Sequence, residues 1–282
     1  MNWLWNIPLL AVGVGFLNFF IRRGLAAPRI VEIGHPQGLP WHEVWLPTAN
    51  DKSLYGWFIP AGMGSPALVV MHGWGSNAEM MLPMAAPLHA AGYSLLLIDA
   101  RCHGQSDGDS FASLPRFAED IEAALRWLAC QPEVDPRALG VIGHSVGAGA
   151  ALLAASRQPA ICAVVSLAAF AHPTVMMRRW LAGMHIPYWP LGAYILAYVQ
   201  RVIAHRFEDI APCNTIKKIC CPVLIVHGME DDTVPVDEAR QIYAARATDA
   251  VELLLVPGSH DDYGEMLEQI VLLQAFLDRT MR

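Results

Sequence analysis

The feature that most constrains the fold is a repeated unit, in which a largely apolar run ends at a turn and helical spacing follows. Such runs lie at residues 67–71, 95–98, 139–142, 162–167, 222–226 and 251–256. Runs without polar alternation are typical of strands that are buried on both faces of a sheet. Two β-type runs, 42–48 and 54–61, come first and predict a hairpin across the turn cluster 49–52. The pattern predicts an α/β fold with a mostly parallel eight-stranded sheet flanked by helices.

Residues 171–212 interrupt this rhythm. The stretch is rich in tryptophan, tyrosine, methionine and proline, and it lies where a strand-to-helix connection normally takes only a few residues. Long insertions at such positions are usually functional. We therefore expect a helical cap at 171–212, inserted into a single domain that spans residues 25–282, and we expect its methionines and aromatic side chains to be candidates for an apolar substrate pocket.

Composition excludes one class of partner and indicates a cellular compartment. The net charge is −7 and the sequence contains no basic stripe, so we expect no nucleic-acid partner. The six cysteines include no C-x-x-C pair and no cluster with zinc-finger spacing. They are typical of free thiols in a reducing compartment, which favours the cytoplasm.

The N-terminal segment 1–24 differs from the rest of the chain. No charged residue lies between Trp3 and Ile21, and Arg22 and Arg23 follow directly. As a helix this run spans roughly 28 Å, close to the hydrocarbon thickness of a bilayer. It predicts membrane contact through residues 3–23, with the downstream domain in the cytoplasm by the positive-inside rule.

The alternative for this segment is a helix docked on the domain, or on a second subunit as a homodimer contact, in a soluble cytoplasmic protein. Asn6, Pro8 and Asn18 favour that alternative, because each is costly in lipid.

Residues 143–147 (GHSVG) follow an apolar run and precede an alanine-rich helical stretch. This is the pattern of a nucleophile elbow, a tight strand-to-helix turn that projects a serine hydroxyl out of the sheet. The flanking glycines avoid side chains that would collide with the neighbouring helix and strand. Ser145 is therefore the candidate nucleophile.

A second motif, residues 72–76 (HGWGS), directly follows the apolar run 67–71. An oxyanion hole takes one backbone N–H from this loop and one from the residue after the nucleophile. We therefore assign the donors to Trp74 and Val146. For His72 we expect a structural role, bonding the loop backbone rather than acting as a base.

Together with residues 99–106 (DARCHGQS), these motifs resemble the bacterial α/β-hydrolase superfamily in its esterase, lipase and S33/S9-like peptidase branches. Cys102 stands where that superfamily usually has glycine, which affects loop conformation more than chemistry. The resemblance covers roughly residues 42–280 and leaves the N-terminal segment unexplained.

The resemblance implies a catalytic acid and a base in fixed chain order after the nucleophile. Residues 227–235 (HGMEDDTVP) are similar to the superfamily's acid motif and place the acid at Asp231, with the adjacent Asp232 as the alternative. His260 follows the last strand and is the expected base. His103 is its main competitor, but it belongs to the 99–106 loop.

The implied function is hydrolysis of a small-molecule carboxylic ester with apolar acyl or alcohol groups, with no metal or organic cofactor. A thioesterase, amidase or peptidase would use the same triad, so these alternatives stay open. A catalytically silent binding protein on the same fold is a remoter one.

Overall fold

The structure is a computed structural model. It describes the backbone of residues 3–262 and 266–282, and side chains from residue 12 onward except those of 263–268. The first part of the predicted membrane contact, residues 3–11, therefore lies outside the described side chains.

Eight strands form one sheet. The strands are β1 (His42–Thr48), β2 (Lys52–Ile59), β3 (Ser65–Met71), β4 (Ser94–Ile98), β5 (Val134–His144), β6 (Ala163–Leu167), β7 (Val223–Gly228) and β8 (Val251–Val256). Their spatial order is β1-β2-β4-β3-β5-β6-β7-β8. β2 pairs antiparallel with β1 and β4, and every later pairing is parallel. The predicted fold class is confirmed.

The helices lie on both faces of the sheet. They are α1 (Trp3–Gly24), α2 (Ala85–Ala90), α3 (Leu114–Leu128), α4 (Val146–Ala155), α5 (Pro173–Gly183), α6 (Ala193–Ile203), α7 (Phe207–Ile210), α8 (Pro212–Thr215), α9 (Val236–Ala244) and α10 (Met266–Met281). One core cluster joins the sheet to α3, α4, α9 and the helices of the insertion, and we name that side the cap face. The other cluster joins it to α2 and α10, and we name that side the α10 face.

Local chemistry explains where two of these helices begin. Ser113 accepts a hydrogen bond from the Arg116 N–H and caps α3, with Pro115 in its first turn. The stretch after the Trp74 loop forms a 3-10 helix, Ala78–Met84, followed by α2. Pro83 and Pro87 have no N–H to donate, which interrupts the α-helical ladder in this stretch.

The insertion 171–212 contains α5 and α6, joined through a short π-helix, Tyr188–Gly192. Arg179 of α5 forms an ion pair with Glu238 of α9. The Glu238 side chain is almost completely buried, and it also accepts the Ala171 N–H at 2.8 Å. A buried carboxylate needs such a partner, because an unpaired charge is costly there. These bonds fix the start of the cap to the core of the domain.

The N-terminal helix α1 bonds to the cap. The Tyr194 hydroxyl donates to Asn18 Oδ1 at 2.8 Å, and Arg22 Nε donates to the Tyr198 hydroxyl at 2.7 Å. Among the helices of the described residues, none is long and apolar enough to cross a membrane. The contacts with α6 favour the docked-helix alternative, and membrane contact stays a prediction.

Candidate active site

Ser145 lies on a sharp turn between β5 and α4 at the carboxyl end of the sheet. Its backbone φ is 53°, in the left-handed region that a residue with a side chain rarely adopts. A Cβ on Gly143 would lie 2.2 Å from the Gly147 carbonyl oxygen, and a Cβ on Gly147 would lie 2.4 Å from the His72 oxygen. Only glycine fits at both positions, so the two glycines allow the strained turn that exposes the serine hydroxyl.

The backbone around Ser145 is fixed by a neighbouring strand and by a helix N-terminus. The Ser145 N–H donates to the Leu167 carbonyl at the end of β6, at 2.8 Å. Helix α4 begins at Val146, so the N–H groups of its first turn have no carbonyl partner within the helix. Such N–H groups, together with the helix dipole, stabilise negative charge next to the serine.

Two buried histidines hold the loop backbone on either side of Trp74. His72 Nε2 accepts the Ala100 N–H at 3.0 Å, and its Nδ1 donates to the Gly73 carbonyl at 2.6 Å. His103 Nε2 accepts the Gly75 N–H at 3.1 Å. Burial lowers the pKa of His72 to about 3 and that of His103 to about 4, so both rings are neutral at ordinary pH. The structural role predicted for His72 is confirmed.

The same loop approaches the serine closely. A Cβ on Gly73 would lie 3.2 Å from Ser145 Cβ, so the backbone that leads into Trp74 passes directly over the candidate nucleophile. An oxyanion donor at Trp74 stays a prediction.

His260, Ser145 and Asp231 form one chain of hydrogen bonds. His260 Nε2 lies 3.0 Å from Ser145 Oγ, and His260 Nδ1 lies 2.7 Å from Asp231 Oδ2. Asp232, the alternative acid, is exposed and is paired with the hydroxyl of Thr233 at 3.4 Å. The structure therefore brings His260 together with Asp231.

Asp231 is held as a carboxylate. Its Oδ1 accepts the backbone N–H groups of Thr233 and Val234 at 3.0 and 2.7 Å, and its Oδ2 lies 3.3 Å from His227 Nε2. Burial by itself would raise the pKa of Asp231, but hydrogen bonds from His227, His260 and Val234 outweigh burial and hold that pKa well below its usual range. A permanent negative charge next to His260 is what stabilises an imidazolium.

Sequence reasoning assigned no role to His227. It is completely buried, and its Nε2 also donates to the Val234 carbonyl at 2.7 Å. It thereby ties β7 to the turn that carries Asp231. Its position four residues before the acid is the signal that links it to Asp231, since the intervening turn folds the acid back over the end of the strand.

Sequence reasoning also missed His144, which is only 2% exposed. Its Nε2 donates to the main-chain carbonyl of His260 at 2.9 Å, and the two ring centroids lie 5.1 Å apart. Burial lowers the pKa of His144 to about 4, so the ring is neutral at ordinary pH and its one N–H is available to that carbonyl. His144 thus ties the nucleophile turn to the loop that carries the candidate base.

A segment before the hairpin, residues 28–34, which we name the strap, crosses the loop that carries Trp74. Pro28 lies against Gly75, and Asn77 Nδ2 donates to the Ile30 carbonyl at 3.2 Å. Glu79 accepts the N–H groups of residues 33 and 34 at 2.9 and 3.0 Å. These contacts cover the outer side of the Trp74 loop.

The strap brings the Glu32 carboxyl group onto the buried carboxyl group of Asp99. Burial, the hydrogen bond with Glu32 and the charge of Glu32 together raise the pKa of Asp99 to about 8, although Asp99 also accepts the N–H groups of Ala78 and Gln105. Below about pH 8 the Asp99 carboxyl group therefore keeps its proton, which lies in the hydrogen bond with Glu32.

This shared proton gives a prediction for stability. Between about pH 4 and pH 8 the folded chain keeps a proton that the unfolded Asp99 has lost, so the free energy of unfolding falls as pH rises through that window. Glu32→Gln removes the like charge, and we expect the variant to melt about 2 to 4 °C above wild type at pH 8.5 and close to wild type at pH 5. Calorimetry at both pH values measures the difference.

Glu79→Gln is the matched control, because Glu79 also binds the strap, through the N–H groups of residues 33 and 34. An equal gain at both pH values in Glu32→Gln, or the same pH-dependent gain in Glu79→Gln, would contradict the shared proton.

In the described residues, one cluster has the donor atoms to hold a metal ion. His144, His260 and Asp261 have ligand atoms within 4.8 Å of one another. His260 is already aligned between Ser145 and Asp231, so a metal bound at this cluster would compete with that alignment.

Comparison with known proteins agrees with this geometry. A family model described as serine aminopeptidase, S33 matches residues 65–207, which include the nucleophile turn and most of the cap. An uncharacterized protein of Mycobacterium tuberculosis is 31% identical over 244 residues, covering 84% of this chain and 79% of that protein. The chain belongs to the S33 family of α/β-hydrolases.

Solved structures of proteins that are similar to this chain have the same fold. An esterase of Pyrococcus furiosus is similar with a TM-score of 0.74 at 25% identity, covering 92% of this chain and 98% of that one. An α/β-hydrolase of Penicillium is similar with a TM-score of 0.70 at 22% identity, covering 86% and 99%. The family and these neighbours support a hydrolase.

Proposed function

We propose that the protein is a serine hydrolase that cleaves carboxylic esters with apolar acyl or alcohol groups through an acyl-enzyme intermediate. The observation that carries the proposal is the hydrogen-bonded chain from Ser145 Oγ through His260 to Asp231, with distances of 3.0 and 2.7 Å. These separations are those at which a base takes the proton of a nucleophile and an acid orients the base.

In the proposed reaction His260 Nε2 takes the proton of Ser145 as Oγ attacks the ester carbonyl carbon. The N–H groups of Trp74 and Val146 bind the resulting oxyanion, and Asp231 stabilises the imidazolium. His260 then gives the proton to the departing alkoxide. Water, activated by the same imidazole, attacks the acyl-enzyme and releases the acid, which regenerates Ser145.

A chain-length series of p-nitrophenyl esters, measured beside an acyl thioester and an aminoacyl p-nitroanilide, tests the reaction class. We expect kcat/KM to be highest for an ester and to depend on the length of the acyl chain. Thioester or anilide turnover without hydrolysis of any ester would overturn the proposal.

The second candidate is an amidase or peptidase that uses the same groups. The observation in its favour is Asp261, an exposed carboxylate directly after His260 whose charge is opposite to that of a substrate's free amino group. Asp261→Asn separates the two candidates. If the protein is a peptidase that binds the free amino group through Asp261, the variant would lose activity on anilides with a free amine but not on N-acylated anilides. An esterase would show no such difference.

The bond from His144 to the His260 carbonyl predicts a positioning role in this reaction. We expect His144→Ala to lower kcat by about 10- to 100-fold with a smaller change in KM, because the loop that carries His260 loses its tie to the nucleophile turn. His144→Gln keeps an N–H donor and should recover part of the loss. Steady-state kinetics on a p-nitrophenyl ester measures both values.

His89→Ala is the control for this prediction, since His89 also bonds a backbone carbonyl, that of Pro60 at 3.0 Å, but lies in α2 away from the site. A KM effect alone, or equal losses in His144→Ala and His89→Ala, would count against a positioning role.

A further inference from the structure

A cavity opens on the α10 face beside the candidate active site. It is narrow, and it widens into an open mouth. Of the lining residues that the structure describes, eight are apolar: Met80, Met81, Met84, Leu167, Val226, Leu254, Ile270 and Leu273. The other three, His144, Gln269 and Asp261, are polar.

The cavity is bounded by the same three segments that carry the proposed chemistry. His144 directly precedes Ser145, and Asp261 directly follows His260. Met80 accepts a hydrogen bond at its sulfur from the Ser76 hydroxyl, at the end of the loop that carries Trp74. The floor is also close to the serine, because the carbonyl of Leu167 accepts the Ser145 N–H at 2.8 Å.

The cap, in contrast, directs its apolar side chains elsewhere. Met176 and Met177 of α5 pack on the core cluster of the cap face, on the opposite side of the sheet from this cavity. Trp180 and Trp189 are 40% and 78% exposed. Among the described residues that line this cavity, none belongs to the cap, so the expectation that the cap's methionines form the pocket does not apply to it.

We propose that this cavity binds the apolar acyl chain of the ester substrate, and that methionines 80, 81 and 84 determine its preferred length. The inference rests on the proposed function and specifies its substrate class. Methionine is flexible and polarizable, so three of them in one wall accept chains of different shape. The polar residues lie beside the catalytic residues, which leaves the apolar interior for the end of the chain that does not react.

Two substitutions with opposite effects test the proposal. Met80 is half-buried, so Met80→Trp puts a larger side chain in the cavity wall and narrows the cavity without overpacking the buried core. Met84→Ala shortens a side chain of the wall and widens the cavity. We expect Met80→Trp to lower the ratio of octanoyl to acetyl ester kcat/KM by about tenfold. Met84→Ala should move the optimum towards longer chains.

Met63→Trp is the matched control, because Met63 is 79% exposed on a turn between β2 and β3. Melting temperatures of all three variants identify any that fail to fold. An unchanged chain-length preference in both cavity variants, or an equal change in Met63→Trp, would overturn the proposal.

A binding measurement separates failure of this proposal from failure of the proposed function. In the Ser145→Ala background we expect dansyl-undecanoate to gain fluorescence on binding, and Met80→Trp to weaken that binding about tenfold. If wild type hydrolyses no ester but the probe binds and Met80→Trp weakens it, the esterase proposal fails and the apolar site stands. Binding that is insensitive to Met80→Trp overturns the site even where esters are hydrolysed.

Discussion

Ser145→Ala is expected to reduce ester turnover by about a million-fold, to the level left by binding and oxyanion stabilisation alone. The reason is that Ser145 Oγ is the atom placed 3.0 Å from His260 Nε2, and alanine has no atom there to form the acyl-enzyme. A fluorophosphonate probe, which labels only an activated serine, gives a second measurement. We expect wild type to be labelled and Ser145→Ala to remain unlabelled.

Ser156→Ala is the control for that experiment, since Ser156 ends the same helix and bonds the Leu153 carbonyl at 2.7 Å, away from His260. We expect it to be labelled and to turn over ester as wild type does. A wild-type protein that never labels would support a silent binding protein instead. Labelling that persists in Ser145→Ala would move the nucleophile to another residue.

The sheet and the position of Ser145 were predictable because both depend on local patterns. A continuous apolar run predicts a buried strand wherever it occurs, and the sequence GHSVG between a run and a helix requires the tight turn that the structure contains. Asp231 and His260 were instead expected from the resemblance, which implies an acid and a base after later strands, and the ends of parallel strands meet at one edge of a sheet.

The contacts that support the site were not predictable in this way. His144 bonds a carbonyl 116 positions later in the chain, and the carboxyl groups of Glu32 and Asp99 come from segments with no shared pattern. The cavity on the α10 face illustrates the same limit. Its methionines lie in the 3-10 helix Ala78–Met84, and they line a cavity only because α10 packs opposite that helix.

The choice between Asp231 and Asp232 gives the second prediction with a large expected effect. Asp231→Asn should lower kcat by about ten thousand-fold, because an amide cannot stabilise the imidazolium and favours the wrong tautomer of His260. Asp232→Asn, one position away and exposed, is a matched control that removes the same charge. We expect it to stay within about twofold of wild type, since the pair it forms with Thr233 is on the surface.

Acid stability separates a catalytic effect of Asp231→Asn from a structural one. The pKa of Asp231 is held below its usual range, so the stability it contributes is fully present above the ordinary carboxyl pKa and is lost as pH falls through the lowered value. Wild type should therefore lose stability on acidification below about pH 4, and Asp231→Asn should lose less. If Asp231→Asn is folded at pH 7 by calorimetry yet inactive, the loss is catalytic. Equal losses of activity in Asp231→Asn and Asp232→Asn would show that neither carboxylate acts on His260 alone.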